Sequence, residues 1–324
     1  MITLYQLHWS HYVEKVRWAL DYKQLDWSAV DVDPFTKRQM RHLDCRLALD
    51  SGQQLYAVPT IHDHATGAVV GDSSRILDYL ESTYPAPALF PSDVSERKDV
   101  TRWMLWLDSA LGLAARRVAY TQIAIERPSI LASLFLPDMA SAGGFKGYIG
   151  GTILAGVLSR RFRFRHNRKD RVIEQLEHCL LTAAHRLSSR QYLVGEQFSA
   201  ADLTLAALSR PVLLVPFFRD HPRLQALWNW RATQLRAHRR DPHAGYEKTL
   251  RDIRQRRGWE LGEVRWLSGL TRDDLNVSTE IPHLAVASND QQSVGSWAAL
   301  AAPLGYLRLK LTSGLGRTAY SAQD

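Results

Sequence analysis

Ser10, His11 and Tyr12 stand together where an apolar, alternating run gives way to residues with a helical period, in YQLHWSHYVEKVRWAL. A serine at such a boundary accepts a hydrogen bond from a backbone N–H of the first helical turn. The same place suits an anion, because the first N–H groups of a helix have no partner inside it and the helix dipole is positive there. Ser10 therefore has two readings, a cap and a seat for negative charge. His11 reads as an exposed first-turn residue, or as a second donor or base beside whatever Ser10 holds. Tyr12 reads as packing, or as one wall of a pocket. Cys45 and Cys179 are the only cysteines, too few and too far apart for a disulfide framework or a recognisable metal site. No metal is expected.

The elements that position these residues follow from periodicity. Residues 2–8 alternate with strand-type composition, and from Val13 the apolar positions Val13, Val16 and Leu20 recur at helical spacing, which predicts a helix from near Ser10 to near Lys23. Residues 27–33 alternate again as a second strand, and residues 34–54 are ambiguous by pattern. Residues 57–62 read as a strand that contains Pro59, awkward inside a sheet unless it lies at an edge or carries a special bond geometry. Residues 68–70 read as a short strand and residues 73–82 as a helix. Pro85, Pro87 and Pro91 then punctuate a stretch that suits a linker.

Beyond the linker the pattern is helical. Residues 101–120 read as one long helix and 172–190 as another, and a glycine-rich stretch lies between them. In FSAADLTLAA, Ser199 and Asp202 form an N-terminal capping pair with Phe198 as its hydrophobic staple. Residues 224–235 read as a further helix. From about residue 241 the periods fade, although Trp259, Trp266 and Trp297 argue against pure disorder.

Length and composition bound the whole. At 324 residues the chain exceeds the size that one core usually serves, so two packed domains are expected. With 45% hydrophobic and 23% charged residues it is too apolar for a disordered chain. No apolar run is long enough for a membrane span and no secretory signal is evident, so the cytoplasm is the expected location. The net charge of +8 is uneven, since residues 1–90 carry 8 Lys/Arg against 11 Asp/Glu. The sharpest basic cluster, Arg160 to Arg171, has no base-reading motif. It reads as a solvated or oligomer-contact segment, and no nucleic-acid partner is expected.

Taken in order, these features resemble the soluble glutathione transferases. SHYVEKVRWAL is similar to the serine-bearing first helix of the tau- and zeta-like classes, VPT to their cis-proline segment, GDSSRILDYLE to their acidic-serine motif, and FSAADLTLAA to the capped buried helix of their second domain. The resemblance covers roughly residues 1–240. It implies an α/β thioredoxin-like domain (1–82), a linker (83–95), an all-helical acceptor-binding domain (96–240) and an extension outside the match (241–324).

It also implies chemistry. Ser10 would stabilise the thiolate of glutathione. Val58, freed by a cis Pro59, would pair with the cysteinyl part; Asp72 and Ser73 would meet the γ-glutamyl end, and Gln53 or Gln54 the glycyl end. The acceptor, a small apolar electrophile, would lie against His11, Tyr12, Trp103, Trp106 and the loop around Phe145 and Tyr148. A homodimer is implied as well. Arg17 faces a cleft or anchors its helix. The rival readings are a non-catalytic binding or assembly protein built on the same fold, and a glutathione-dependent lyase, isomerase or dehalogenase.

Overall fold

The computed structural model describes residues 1–34, 36–43, 47–48, 54–126 and 169–241, together with positions 149, 152, 153 and 156. Gln53, Cys45, Phe145, Tyr148, Arg160 to Arg168 and everything after residue 241 lie outside the described residues.

Strand β1 (Ile2–Gln6) is followed by helix α1 (His11–Tyr22) and by β2 (Trp27–Asp31), which pairs parallel to β1. A short 3-10 turn (Arg38–Met40) and two brief strands, β3 (Leu47–Ala48) and β4 (Gln54–Leu55), occupy the stretch that is ambiguous in the sequence. Strand β5 (Thr60–Asp63) then runs antiparallel to β1, β6 (Val69–Gly71) runs antiparallel to β5, and α2 (Ser73–Thr83) closes the unit. The sheet order β2-β1-β5-β6 is that of a thioredoxin-like domain. The proline resolves the awkward third strand. Pairing begins only at Thr60, and Pro59, joined to Val58 by a cis bond, sits just ahead of it, so no ladder donor is lost.

One face of the sheet, through Ile2, Leu4 and Ile61, joins Val13, Val16 and Leu20 of α1 and Ile76, Leu77 and Leu80 of α2 in a buried core. That core continues without a break into the helical region. There α3 (Val94–Trp106) leads through a π-helical turn (Leu107–Gly112) into α4 (Leu113–Glu126), and α5 (Lys169–Leu187), α6 (Ala200–Leu208), α7 (Pro216–Arg219) and α8 (Gln225–His238) follow. The single long helix predicted over 101–120 is thus interrupted, because a π turn inserts a residue without breaking the apolar pattern.

Every residue of α6 is buried, so this helix is a central post on which α1 and α3 lie. The predicted capping box is present: the Asp202 carboxylate accepts from the Ser199 N–H at 3.0 Å and the Ser199 hydroxyl at 2.7 Å, and it also takes the Leu193 N–H at 2.8 Å. Burial raises the Asp202 carboxyl to about 6 against the pull of these donors. Phe198, the predicted staple, is buried with its ring against Trp18 and Tyr22 of α1.

Buried ion pairs tie the two halves together. Lys23 donates to Glu81 at 2.8 Å and to the carbonyls of Tyr84 and Pro87, while Glu81 accepts from the Leu89 and Phe90 N–H groups, so the linker is held at both ends. Arg17 donates to Gln6, Glu14 and the His8 carbonyl. Arg239, at the end of α8, pairs with Glu14 and Asp21 on the same helix. Arg17 is therefore an anchor of α1, and α1 is clamped from behind by the last described residues.

Candidate active site

The strand register gathers the chemistry-bearing residues at one end of the sheet. Tyr5 of β1 pairs with Thr60 of β5, and Thr60 pairs with Gly71 of β6. The chain leaving β1 reaches Ser10 four residues after Gln6; Pro59 precedes Thr60, and Asp72 follows Gly71. Asp72 N–H donates to the Pro59 carbonyl at 3.2 Å, which fixes the last two against each other. Ligands of α/β sheets bind outside the carboxyl ends of parallel strands, where β1 and β2 end here.

Ser10 is the N-cap of α1, with extended backbone, and its hydroxyl oxygen accepts from the Val13 N–H at 3.4 Å. Accepting leaves its proton available, and among the described residues that proton has no acceptor. The N–H groups of His11 and Tyr12 likewise have no acceptor there. One hydroxyl and two amides therefore point their donors at the positive end of a helix.

Asp72 caps α2 in a similar way, taking the Ser74 N–H at 3.0 Å and the Arg75 N–H at 3.2 Å on one carboxylate oxygen. Its φ of 75° with ψ of 130° is a conformation that a residue with a side chain rarely adopts. The second oxygen, together with the Ser73 N–H and hydroxyl, has no partner among the described residues. Val58 N–H and C=O are unpaired in the same sense. An edge of free backbone beside a carboxylate and a hydroxyl suits an extended, zwitterionic peptide.

The π turn of the helical region grips the first turns of α1. The Gly112 carbonyl accepts from His11 Nε2 at 2.9 Å, and the Asp108 carbonyl accepts from the Tyr12 hydroxyl at 3.0 Å. The Asp108 carboxylate accepts from Lys15 Nζ at 2.8 and 2.9 Å and from the Ser74 hydroxyl at 2.6 Å, while Lys15 also donates to Ser74. A Cβ at position 112 would overlap the Tyr12 hydroxyl as it lies here, so a larger residue there would have to displace that ring. Asp108 thus joins both helices that carry a vacant N-terminus.

Residues 4–88 match the family Glutathione S-transferase, N-terminal domain. The fold, a thioredoxin-like sheet unit followed by a helical region, is that of the glutathione transferases. The chain is similar to the β-etherase LigF of Sphingobium sp. strain SYK-6, at 22% identity over 78% of this chain and 99% of that one, with a TM-score of 0.53. It is also similar to the theta class glutathione S-transferase of Xanthomonas axonopodis pv. citri with glutathione bound, at 24% identity over 76% and 96% of the two chains, with a TM-score of 0.49. A comparison with curated proteins returned no match.

Several expected site residues take other places. His11 is 3% exposed, not a surface residue, and burial followed by the charge of Arg116 lowers its imidazole to about 3. A carbonyl can only accept, so Nε2 carries the proton and donates it to Gly112. His11 is then neither a spare donor nor an effective base. Burial raises the Tyr12 phenol, whose hydroxyl is already bound, so it is no proton source. Trp103 and Trp106, each 6% exposed, pack edge to face at 5.3 Å inside the core and do not form an acceptor wall. Cys179 is buried in the same core, and burial raises its thiol. Among the described residues no cluster of side chains could hold a metal ion, and no helix is long and apolar enough to cross a membrane.

Lys37, passed over in the sequence, lies in the loop after β2 at this same end of the sheet. It is 7% exposed, its backbone is left-handed (φ 51°), and burial lowers its amine to about 8 against the opposing pull of Asp33. A lysine six residues past a strand carries no signal by type alone. Only burial distinguishes it.

Lys15→Met should cost about 3–5 kcal/mol, because Asp108 would be left facing a buried apolar chain. Adding Asp108→Leu should recover most of that loss in urea midpoints measured at constant slope. Wild type should also lose stability as pH falls below 6.5, where the unfolded His11 binds a proton that the folded one refuses, by up to ~1.4 kcal/mol per pH unit from this group. Urea unfolding of His11→Gln should show a shallower acid limb.

Proposed function

We propose that this chain is a glutathione-dependent transferase. The observation that carries the reading is the vacant donor set at the start of α1: the Ser10 hydroxyl and the His11 and Tyr12 amides, none with an acceptor among the described residues. A free thiol has pKa ~8.5, so only about 3% is thiolate at neutral pH. Lowering it by about two units requires roughly 2.7 kcal/mol of preference for the anion, a magnitude that a hydroxyl donor and a helix N-terminus supply together.

In this reading Ser10 donates to the glutathione sulfur and does not attack anything itself. Val58 pairs through its backbone with the cysteinyl residue, the free Asp72 oxygen takes the γ-glutamyl ammonium, and the Ser73 hydroxyl and N–H take its α-carboxylate. Lys37 joins the set for the glycyl carboxylate, with Gln53 as the sequence-based candidate for that end. The thiol proton leaves to solvent, and the sulfur forms a bond to an electrophilic carbon of a small, largely apolar acceptor. The displaced bonding pair departs with a leaving group or moves onto the acceptor.

The same reading assigns residues 1–82 to glutathione, 83–95 to the linker, 96–240 to the acceptor and 241–324 to an extension. It makes the protein a cytoplasmic homodimer, for which Val94 and Leu105 on α3 are exposed apolar side chains that a partner would cover.

Ser10→Ala should lower kcat for conjugation of a general aryl halide by about 10²-fold, while the calorimetric Kd for glutathione stays within about threefold. Undiminished kcat in that variant removes Ser10 from the role.

A further inference from the structure

Strand β2 is an edge of the sheet, paired with β1 on one side only. In that parallel ladder the Ile2 N–H donates to the Asp26 carbonyl and the Val32 N–H to the Gln6 carbonyl. The backbone groups of Ser28 and Val30 therefore face β1, and those of Trp27, Ala29 and Asp31 face outward. None of the outward groups has a partner among the described residues. Native sheets shield such an edge with proline, lysine, a bulge or a covering segment. The sequence WSAVD holds neither proline nor lysine, its register with β1 is continuous, and Ala29 at its centre is exposed. A covering segment is the device that remains.

The two faces beside the edge differ. On the α1 side lie Trp27, Ala29 and Asp31, and the Asp31 side chain, which accepts from the Gln6 amide at 3.0 Å, is 66% exposed. On the other side Val30 packs with Tyr5, Val32, Met40 and Leu43 in a small second core, and Ser28 next to it is exposed. A strand laid along β2 meets a carboxylate on one face and apolar side chains on the other. It should alternate basic and apolar residues.

The chain itself contains such a stretch outside the described residues. Residues 305–314 read GYLRLKLTSG, where Leu307, Leu309 and Leu311 alternate with Arg308 and Lys310 between two glycines and no acidic residue intervenes. The described chain also ends in a suitable place. Arg240 donates through Nη2 to the Leu25 carbonyl at 3.0 Å and through its N–H to Asp21, so the chain passes residue 241 beside the start of β2. Tethering there makes the contact intramolecular and raises the effective concentration of the segment. A second copy is disfavoured as the occupant, because β2–β2 pairing would bring the exposed Asp26 and Asp31 of both chains to one edge.

We propose that residues 307–311 add to the sheet as a fifth strand, antiparallel along the free edge of β2, with Arg308 and Lys310 on the face of Asp31 and the leucines on the face of Val30. In that register the backbone groups of Arg308 and Lys310 meet the outward groups of β2. The pairing does not depend on the glutathione reading.

Amide hydrogen exchange of the full chain, read residue by residue, tests it. Wild type should protect the Ala29 and Asp31 amides at least about 10²-fold relative to an unpaired amide, at a level independent of protein concentration. The double variant Arg308→Pro/Lys310→Pro, which removes both ladder donors, should return these two amides to within about threefold of the unpaired rate and leave those of Ser28 and Val30 unchanged. Arg308→Glu/Lys310→Glu, which keeps the backbone donors, should lose part of the protection. Free exchange of Ala29 and Asp31 in wild type, or protection that survives the double proline variant, overturns the proposal. Protection that rises with protein concentration also overturns it, in favour of a second copy on the same edge.

Discussion

The structure depends on how the first helix is held. Among the described residues its N-terminus leaves a hydroxyl and two amides without acceptors while the rest of the helix is held by contacts that come from elsewhere. They come from the π turn at 107–112, where the Asp108 and Gly112 carbonyls accept from Tyr12 and His11, and from the Asp108 carboxylate that meets Lys15. A regular α-helix satisfies its own carbonyls. A π turn loosens that ladder, so side-chain donors from a neighbour can compete for them. Behind the helix, Arg17 and Arg239 neutralise Glu14 and Asp21 in a buried network. Among the described residues the open end is where α1 leaves a hydroxyl and two backbone amides without acceptors, and the buried Trp18 indole N–H further along the helix also lacks one.

The second vacant terminus is fixed by the same atoms. Ser74, the second residue of α2, donates to Asp108, and Asp72 folds back over the α2 amides in a conformation that only a crowded setting sustains. The spacing between two anion-favouring helix ends is thereby set by one carboxylate from the helical region. A sheet unit alone would carry both ends without the residue that aligns them. This gives the helical region a part in aligning the two helix ends.

What could be read beforehand divides along physical lines. Ser10 as a cap, the Val58–Pro59 bond, the Asp72 and Ser73 start of α2 and the Ser199–Asp202 box all depend on residue type at fixed local offsets, and local offsets are visible in a sequence. The π turn is not, because apolar residues continue through it and the inserted residue changes only the phase. His11 reads as exposed because a histidine in a first turn usually is; its burial follows from a carbonyl a hundred residues away. The resemblance places Trp103 and Trp106 in an acceptor wall, because aromatic spacing does not separate pocket from core, and their burial assigns them to the core. Lys37 was missed because the loop after β2 has no period to mark it.

The central claim is that the start of α1 is a seat for a negatively charged sulfur. Titrating the ultraviolet absorbance of the thiolate in the complex of wild-type protein with glutathione tests it most directly. The account predicts that bound glutathione ionises about two pH units below the free thiol's ~8.5. Ionisation at the free value, or no complex to titrate, would contradict it.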